Sequence, residues 1–327
     1  MSYKPPFRIS EKTLNLVADI MEVVTKLTLI EVEGINPKLR RNNRIKTIQA
    51  SLAIENNSLS LDQVTAILNG KRILGPGQDI REVQNAYEAY ELLLDFNPYD
   101  VASLLEAHKI LMNDLTIEAG TFRSGGVGIF AGENLVHMAP PASLVPEQVN
   151  QLFEWALNAD IHPLIKSCVF HYEFEFIHPF ADGNGRMGRM WQTLILYKWK
   201  TLFGWLPVET LVKDRQDKYY IVLGECDKAA DSGEFIEFML EAIRDSLNEI
   251  SVTEQVDEQV TEQVGMILDA IGEETISGKE LMERVGLKHR PTFRKNYLLP
   301  AIEDGYIEMT IPDKPNSSKQ KYRRSKI

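Results

Sequence analysis

Apolar residues recur along most of the chain at three- and four-residue intervals, a pattern that predicts helices. Between residues 9 and 32, Leu14, Val17, Met21, Val24 and Leu27 fall at helical spacing. A second helix is expected over about 41–55, ended by Asn56, Asn57 and Ser58, residues that tolerate helix-terminating conformations. Ser60 and Gln63 have capping-box spacing and open a third helix that Gly70 stops. Residues 78–95 and 100–115 are further amphipathic stretches, split at Asn97-Pro98.

Alternation typical of strands is scarce before residue 300. It appears at 126–138, where Val127, Ile129 and Phe130 precede a polar turn and Leu135, Val136 and Met138 follow it, so one small hairpin is expected. Residues 163–177 form a long apolar helical stretch. The polar loop HPFADGNG follows, and a second helix starts near Arg186 with Met187, Met190, Trp191 and Leu194 in register. EQV occurs three times within residues 252–264, which reads as a helical linker and a domain boundary. Beyond it lies a module of about 60 residues. Ser277 and Glu280 have capping-box spacing, Gly286 ends that helix, and Pro291 suits the first turn of the next. Strand-like Tyr306–Ile311, a Pro/Asn/Ser turn and Lys319–Arg323 complete a winged-helix-like order.

Composition narrows the class. A chain of 327 residues can build a large core without staples. Its two cysteines, Cys168 and Cys226, are far apart, which excludes a disulfide scaffold or a cysteine-based zinc finger. No run approaches the ~18 apolar residues of a membrane span, and the N-terminal sequence has no apolar signal stretch, so the expectation is a cytoplasmic chain without a membrane partner. The net charge of −11 opposes nucleic acid overall. The end is different: from Val285 onward there are ten Lys/Arg against four Asp/Glu.

Residues 178–189, HPFADGNGRMGR, carry the chemistry. Gly183-Asn184-Gly185 lets successive N–H groups converge on an anion, and the helix that follows turns its positive end the same way. Arg186 and Arg189 add two cations to this phosphate cradle. Asp182 can hold Mg²⁺ against phosphates. His178 has the side chain suited to general-base work near neutrality. Phe180 has no polar task and anchors the loop. His171, Glu173, His178 and Asp182 also cluster in sequence, which leaves a metal site as a rival reading.

The twelve residues resemble the Fic-family motif H-x-F-x-[DE]-G-N-G-R-x-x-R at every defined position. Gly120-Thr-Phe-Arg123 is similar to the G-x-x-R element ahead of that family's flap, and Tyr219 and Leu223 are similar to its downstream Y-x-x-x-L segment. The resemblance covers about residues 100–245. It implies a mainly α fold: an N-terminal helical region (1–99) with an inhibitory helix at about 41–56, a Fic core (100–245) with a β-hairpin flap, a linker (246–265) and a winged-helix-like α+β domain (266–327). It also implies transfer of AMP from ATP, with Mg²⁺, to a Tyr, Thr or Ser hydroxyl of a target protein or of the chain itself. His178 would be the base and Asp182 the metal ligand. Gly183, Asn184, Gly185 and Arg186 would hold the α- and β-phosphates and Arg189 the γ-phosphate, with Tyr219 near the adenine. Val127, Ile129 and Val136 of the flap would dock an extended target segment by strand addition.

Ser51-Leu-Ala-Ile-Glu55-Asn56 is similar to the family's inhibitory motif. The resemblance implies that Glu55, one turn from Ser51, pairs with Arg189 and withholds it from the γ-phosphate. Removal of AMP from a modified protein at the same site is the alternative activity. The basic C-terminal module makes DNA a second candidate partner through Arg290, Arg294 and Lys295. A second copy of the chain is a third.

Overall fold

The helical periodicity is realised through most of the chain. The structure, a computed structural model, describes residues 3–33, 37–131, 134–257, 262–272, 274–315, 317 and 319–325, and these are mostly helical. They form two compact units, one of Met1–Leu27 with Asn43–Asn248, the other of Thr28–Asn42 with Glu249–Ile327. The second unit therefore takes in a segment near the N-terminus that the sequence pattern did not suggest.

Helices α1 (Glu11–Glu33) and α2 (Pro37–Ile54) come first, then α3 (Leu61–Leu68), α4 (Gly77–Glu91) and α5 (Val101–Leu111). The capping box of α3 is complete: Ser60 Oγ accepts from the Gln63 N–H, and the Gln63 side chain accepts from the Ser60 N–H. Asp100 caps α5 by accepting from the Ala102 and Ser103 N–H groups.

Strands β1 (Gly128–Ala131) and β2 (Asn134–Met138) pair antiparallel, with a register shift between Ile129 and Phe130. Of the expected docking positions, Val127 is half-buried just before β1, and its carbonyl accepts from the Ala139 N–H. The backbone of Ile129 pairs with His137, but the side chains of Ile129 and Val136 lie outside the described residues, as do Gly132 and Glu133.

Helix α6 (Val145–Asn158) leads to the central pair, α7 (Pro163–Ile177) and α8 (Asn184–Trp199), which pack side by side. Both are buried on nearly every face. Phe170, Phe174, Met187, Met190 and Trp191 share one apolar cluster with α2, α4, α5 and α6. Trp191 stands between Phe96 and Phe153 and donates its indole N–H to the Pro98 carbonyl at 2.9 Å. Helices α9 (Val208–Asp214), α10 (Gln216–Ala229) and α11 (Gly233–Asp257) follow. Helix α11 runs through much of the stretch read as a linker; residues 258–261 lie outside the described set.

In the second unit, α12 (Glu262–Ile271), β3 (Ile276–Ser277) and α13 (Gly278–Arg284) precede a helical run of α14 (Arg290–Phe293), a π-helical turn and α15 (Leu299–Glu303). Strands β4 (Ile307–Met309) and β5 (Lys321–Arg324) complete an antiparallel sheet of order β3-β5-β4. Strand β3 escaped the sequence pattern because two residues cannot show alternation. Ile267, Ile276, Leu281, Phe293, Ala301 and Ile307 form this unit's own core.

Because Trp191 is fully buried, Trp191→Ala is expected to cost about 3–5 kcal/mol. Trp191→Phe keeps most of the apolar area, and the Pro98 bond it loses is worth about 1 kcal/mol net. Urea denaturation of the two variants should separate these values.

Candidate active site

The loop between α7 and α8 starts at His178, whose backbone is left-handed (φ 51°, ψ 61°). Only a minority of non-glycine residues adopt that conformation, and here it ends α7 abruptly. The His178 Nδ1 lies 3.2 Å from the Glu175 carbonyl. With Nδ1 donating there, Nε2 carries the lone pair that a general base needs.

Phe180 is fully buried and anchors the loop, as its apolar side chain suggested. Asn184 fastens the loop further. Its Oδ1 accepts from the Phe180 N–H at 2.8 Å, and its Nδ2 donates to the Phe180 carbonyl at 2.9 Å. The side chain expected to meet phosphate is thus occupied with the loop's own backbone, because it sits one helical turn from that peptide. Gly183 takes a positive φ of 83° directly before α8, the conformation a nest of N–H groups requires.

Asp182 Oδ1 accepts from the Gly183 N–H at 2.6 Å and from Arg186 Nη2 at 3.0 Å. Arg186 also faces Glu82 at 3.6 Å. Arg189 lies apart from Arg186 in its bonding. Its Nε donates to Ser51 Oγ at 3.1 Å, and its Nη2 donates to the Ser51 carbonyl at 2.9 Å and to Glu55 Oε1 at 2.8 Å. The guanidinium is only 2% exposed. Burial works against its charge, but Glu55 beside it prevails and holds the proton more firmly than usual. Gly185 is what lets Glu55 come so close: a Cβ there would lie 2.3 Å from Glu55 Oε1 and 2.9 Å from Arg189 Nη1.

Tyr219, expected near the adenine, is buried beside the site. Its ring is 2% exposed, set among Tyr220, Phe235 and Phe238, and its hydroxyl is 3.2 Å from His171 Nε2. The apolar face of α11 takes the ring, while Glu175, Arg189 and Glu55 act electrostatically on the hydroxyl. His171 pairs with Gln192 through Nδ1 at 2.6 Å. Burial lowers its pKa to about 3, so it stays neutral.

Two further residues organise the loop, of which His108 lay outside the sequence reading. His108 stacks on Phe180 with ring centroids 3.6 Å apart, and joins the Gly120 N–H (2.9 Å to Nδ1) to the Asp182 carbonyl (3.0 Å from Nε2). Since Nδ1 accepts, Nε2 must donate. Arg123, 3% exposed, donates to the carbonyls of His178, Gly125, Pro140 and Ile177. It ties both ends of the hairpin to the loop. The G-x-x-R spacing had singled out Arg123 without showing what it binds.

Comparison with known proteins gives the family. The Fic/DOC family profile matches residues 98–196, and the profile described as "Filamentation induced by cAMP protein Fic-like, C-terminal domain" matches residues 262–325. A crystal structure of a Fic family protein from Desulfovibrio desulfuricans G20 is 54% identical, with 99% of each chain covered and a TM-score of 0.77. The chain belongs to the Fic family. Among named relatives, the protein adenylyltransferase Fic of Nematostella vectensis is 31% identical over 204 residues, which is 59% of this chain and 45% of that protein. The protein adenylyltransferase fic-1 of Caenorhabditis elegans is 29% identical over 56% of this chain and 36% of its own length. The chain thus spans less than half the length of these two relatives. A structure of C. elegans Fic-1, 20% identical and covering 74% of this chain and 73% of that one, shares the fold with a TM-score of 0.59.

Three buried carboxyls carry a pH signature. Desolvation raises Glu173 and Glu209 to about 7 and Glu175 to about 8, from an ordinary 4.5. A raised folded value means that the protein holds these protons more tightly folded than unfolded. The stability they contribute is complete below 4.5 and is lost as pH climbs through 7 to 8. The urea midpoint should therefore fall across that window, and Glu209→Gln should flatten part of the fall.

Proposed function

We propose that this chain transfers AMP from ATP to a hydroxyl of a target protein, itself included, and that Glu55 restrains the transfer. The observation that carries the reading is the Glu55 carboxylate seated on Arg189 against Gly185, where an incoming anion would bind. A carboxylate there repels phosphate, and it occupies the cation a triphosphate tail would use.

The acceptor hydroxyl would give its proton to His178 Nε2 and attack the α-phosphorus. The N–H groups around Gly183 and Gly185, at the positive end of α8, would stabilise the charge gathering on the phosphoryl oxygens. Arg186 would meet the β-phosphate after leaving Asp182. Arg189 would meet the γ-phosphate after leaving Glu55. The protein contributes positioning and electrostatics more than covalent chemistry. Asp182 fits a part in holding Mg²⁺: its side chain is 60% exposed, and a single carboxylate suits an ion that arrives already bound to phosphates and would neutralise their charge.

The test is transfer of α-³²P label from ATP. Glu55→Gly should label itself and lysate proteins at least about tenfold more than the unsubstituted chain, equivalent to ~1.4 kcal/mol off the barrier. Adding His178→Ala should abolish the label. Equal labelling with and without Glu55 would overturn the restraint. Absence of label in every variant would move the reading to AMP removal from modified proteins. Because Arg189 is buried, losing its carboxylate should also lower the thermal midpoint of Glu55→Gly, and ATP should restore more of it than in the unsubstituted chain.

For the second unit we propose contact with duplex DNA. Arg290, Arg294 and Lys295 are exposed along one helical run, and Arg290 and Arg294 act electrostatically on Tyr322 of β5. The sheet order and basic helix support a winged-helix reading. Duplex affinity should fall roughly a hundredfold or more between low and physiological salt if several phosphates are contacted, and Arg290→Ala with Arg294→Ala should reduce the salt slope. No salt-dependent binding would point to a protein-contact module.

A further inference from the structure

One turn before His178, α7 carries a carboxyl that the mechanism above leaves unused. Glu175 is 4% exposed. Its Oε2 lies 3.8 Å from His178 Nδ1, and its backbone oxygen lies 3.2 Å from the same nitrogen. Its Oε1 has no hydrogen-bond partner among the described residues and stands 3.7 Å from His171 Nε2. Helix α8 closes over it so tightly that a Cβ at Gly188 would be 2.7 Å from Oε1. A buried polar atom without a partner is uncommon and calls for a reason.

We propose that Glu175 is a positioning residue for His178: its carboxyl backs the Nδ1 edge of the ring and, as an anion, stabilises the imidazolium formed when Nε2 takes the acceptor's proton. This rests on the AMP-transfer reading. In that step a bond forms from the acceptor oxygen to the α-phosphorus as the bond from that phosphorus to its bridging oxygen breaks. The hydroxyl proton passes to His178 Nε2, and diphosphate leaves with the electron pair of the broken bond. Glu175 takes no proton; its backbone carbonyl holds Nδ1–H, its carboxylate 3.8 Å from that nitrogen offsets the charge developing on the ring, and Nε2 later returns its proton to water.

The groups facing Glu175 set when it can do this. They are His171 and His178 from α7 and its cap, Arg189 from α8, Glu55 from the turn just after α2, and Tyr219 and Tyr220 from α10. Burial raises the carboxyl to about 8, with Arg189 pulling it down and Glu55 pushing it up. Below that value the ring is backed by a neutral acid, above it by an anion, so the base strengthens as pH rises through about 8. Removing Glu55 takes away a like charge and moves this limb to lower pH.

The experiment places Glu175→Gln in the full-length Glu55→Gly chain and measures self-labelling against pH. The imidazole titration of His178 is followed in parallel by NMR with labelled histidine, assigned by His178→Ala. The expected result is a rate falling about tenfold at alkaline pH and under about twofold at mildly acid pH, with KM for ATP unchanged. In Glu175→Gln the His178 resonance should show a single inflection. In the chain that retains Glu175, the His178 resonance should show a second inflection as the carboxyl ionises, a readout that needs neither the variant nor any activity. An equal loss at every pH, or a His178 titration with one inflection that Glu175→Gln leaves unmoved, would overturn the proposal. If Glu55→Gly transfers no label at all, the functional reading fails separately, and the titration still decides Glu175.

Discussion

A guanidinium that is 2% exposed cannot stay without an anion, and the central part of this structure is arranged around that demand. Stripping one partner from a buried ion pair leaves a charge that water cannot reach, at a cost of about 3–5 kcal/mol. Arg189 meets the demand with Glu55 and two oxygens of Ser51. Any phosphate that enters must replace the carboxylate rather than add to it. Selectivity at this position then follows from exchange of one anion for another, with the positive end of α8 biasing the exchange toward the more highly charged group.

The Glu55–Arg189 contact that we propose as a restraint is built into the core rather than laid over it. Ile48 and Leu52 of α2 belong to the same apolar cluster as Met187, Met190 and Trp191 of α8. The helix end is fixed too: the Asn57 N–H closes on the Leu52 carbonyl, and the Asn57 side chain donates to Glu82 and to the Asp79 carbonyl. Withdrawing α2 as a body would expose that cluster to water. Rotating the Glu55 side chain, which is 31% exposed, disturbs far less. Release through a rotamer change therefore fits this packing better than release through a moving helix.

The sequence revealed the parts of the site that are contiguous and hid those assembled through space. His178, Asp182, Gly183, Gly185, Arg186 and Arg189 fall within twelve residues, and their chemistry can be read from residue type and spacing alone. His108 is 74 residues from the carbonyl it supports, and the carbonyls Arg123 gathers come from three separate stretches. Glu175 was obscured for another reason. Helix α7 is buried on almost all sides, so no polar stripe marks the face that backs the loop. The burial of Tyr219 was not legible because an aromatic near a site looks the same in sequence whether it lines a pocket or fills the core. Among the folds, helices with one wet face and the capped α3 were legible, whereas the two-residue β3 left no trace.

His108 illustrates an uncommon use of its residue type. Desolvation lowers its pKa to about 4, although the Asp182 carbonyl favours the protonated ring. Through the whole physiological range it therefore keeps one proton and one orientation, joining the approach to the hairpin to the approach to the phosphate cradle as a spacer of constant length. Acidity that reprograms other histidines leaves this joint unaltered, so the loop's geometry is insulated from changes of pH across that range.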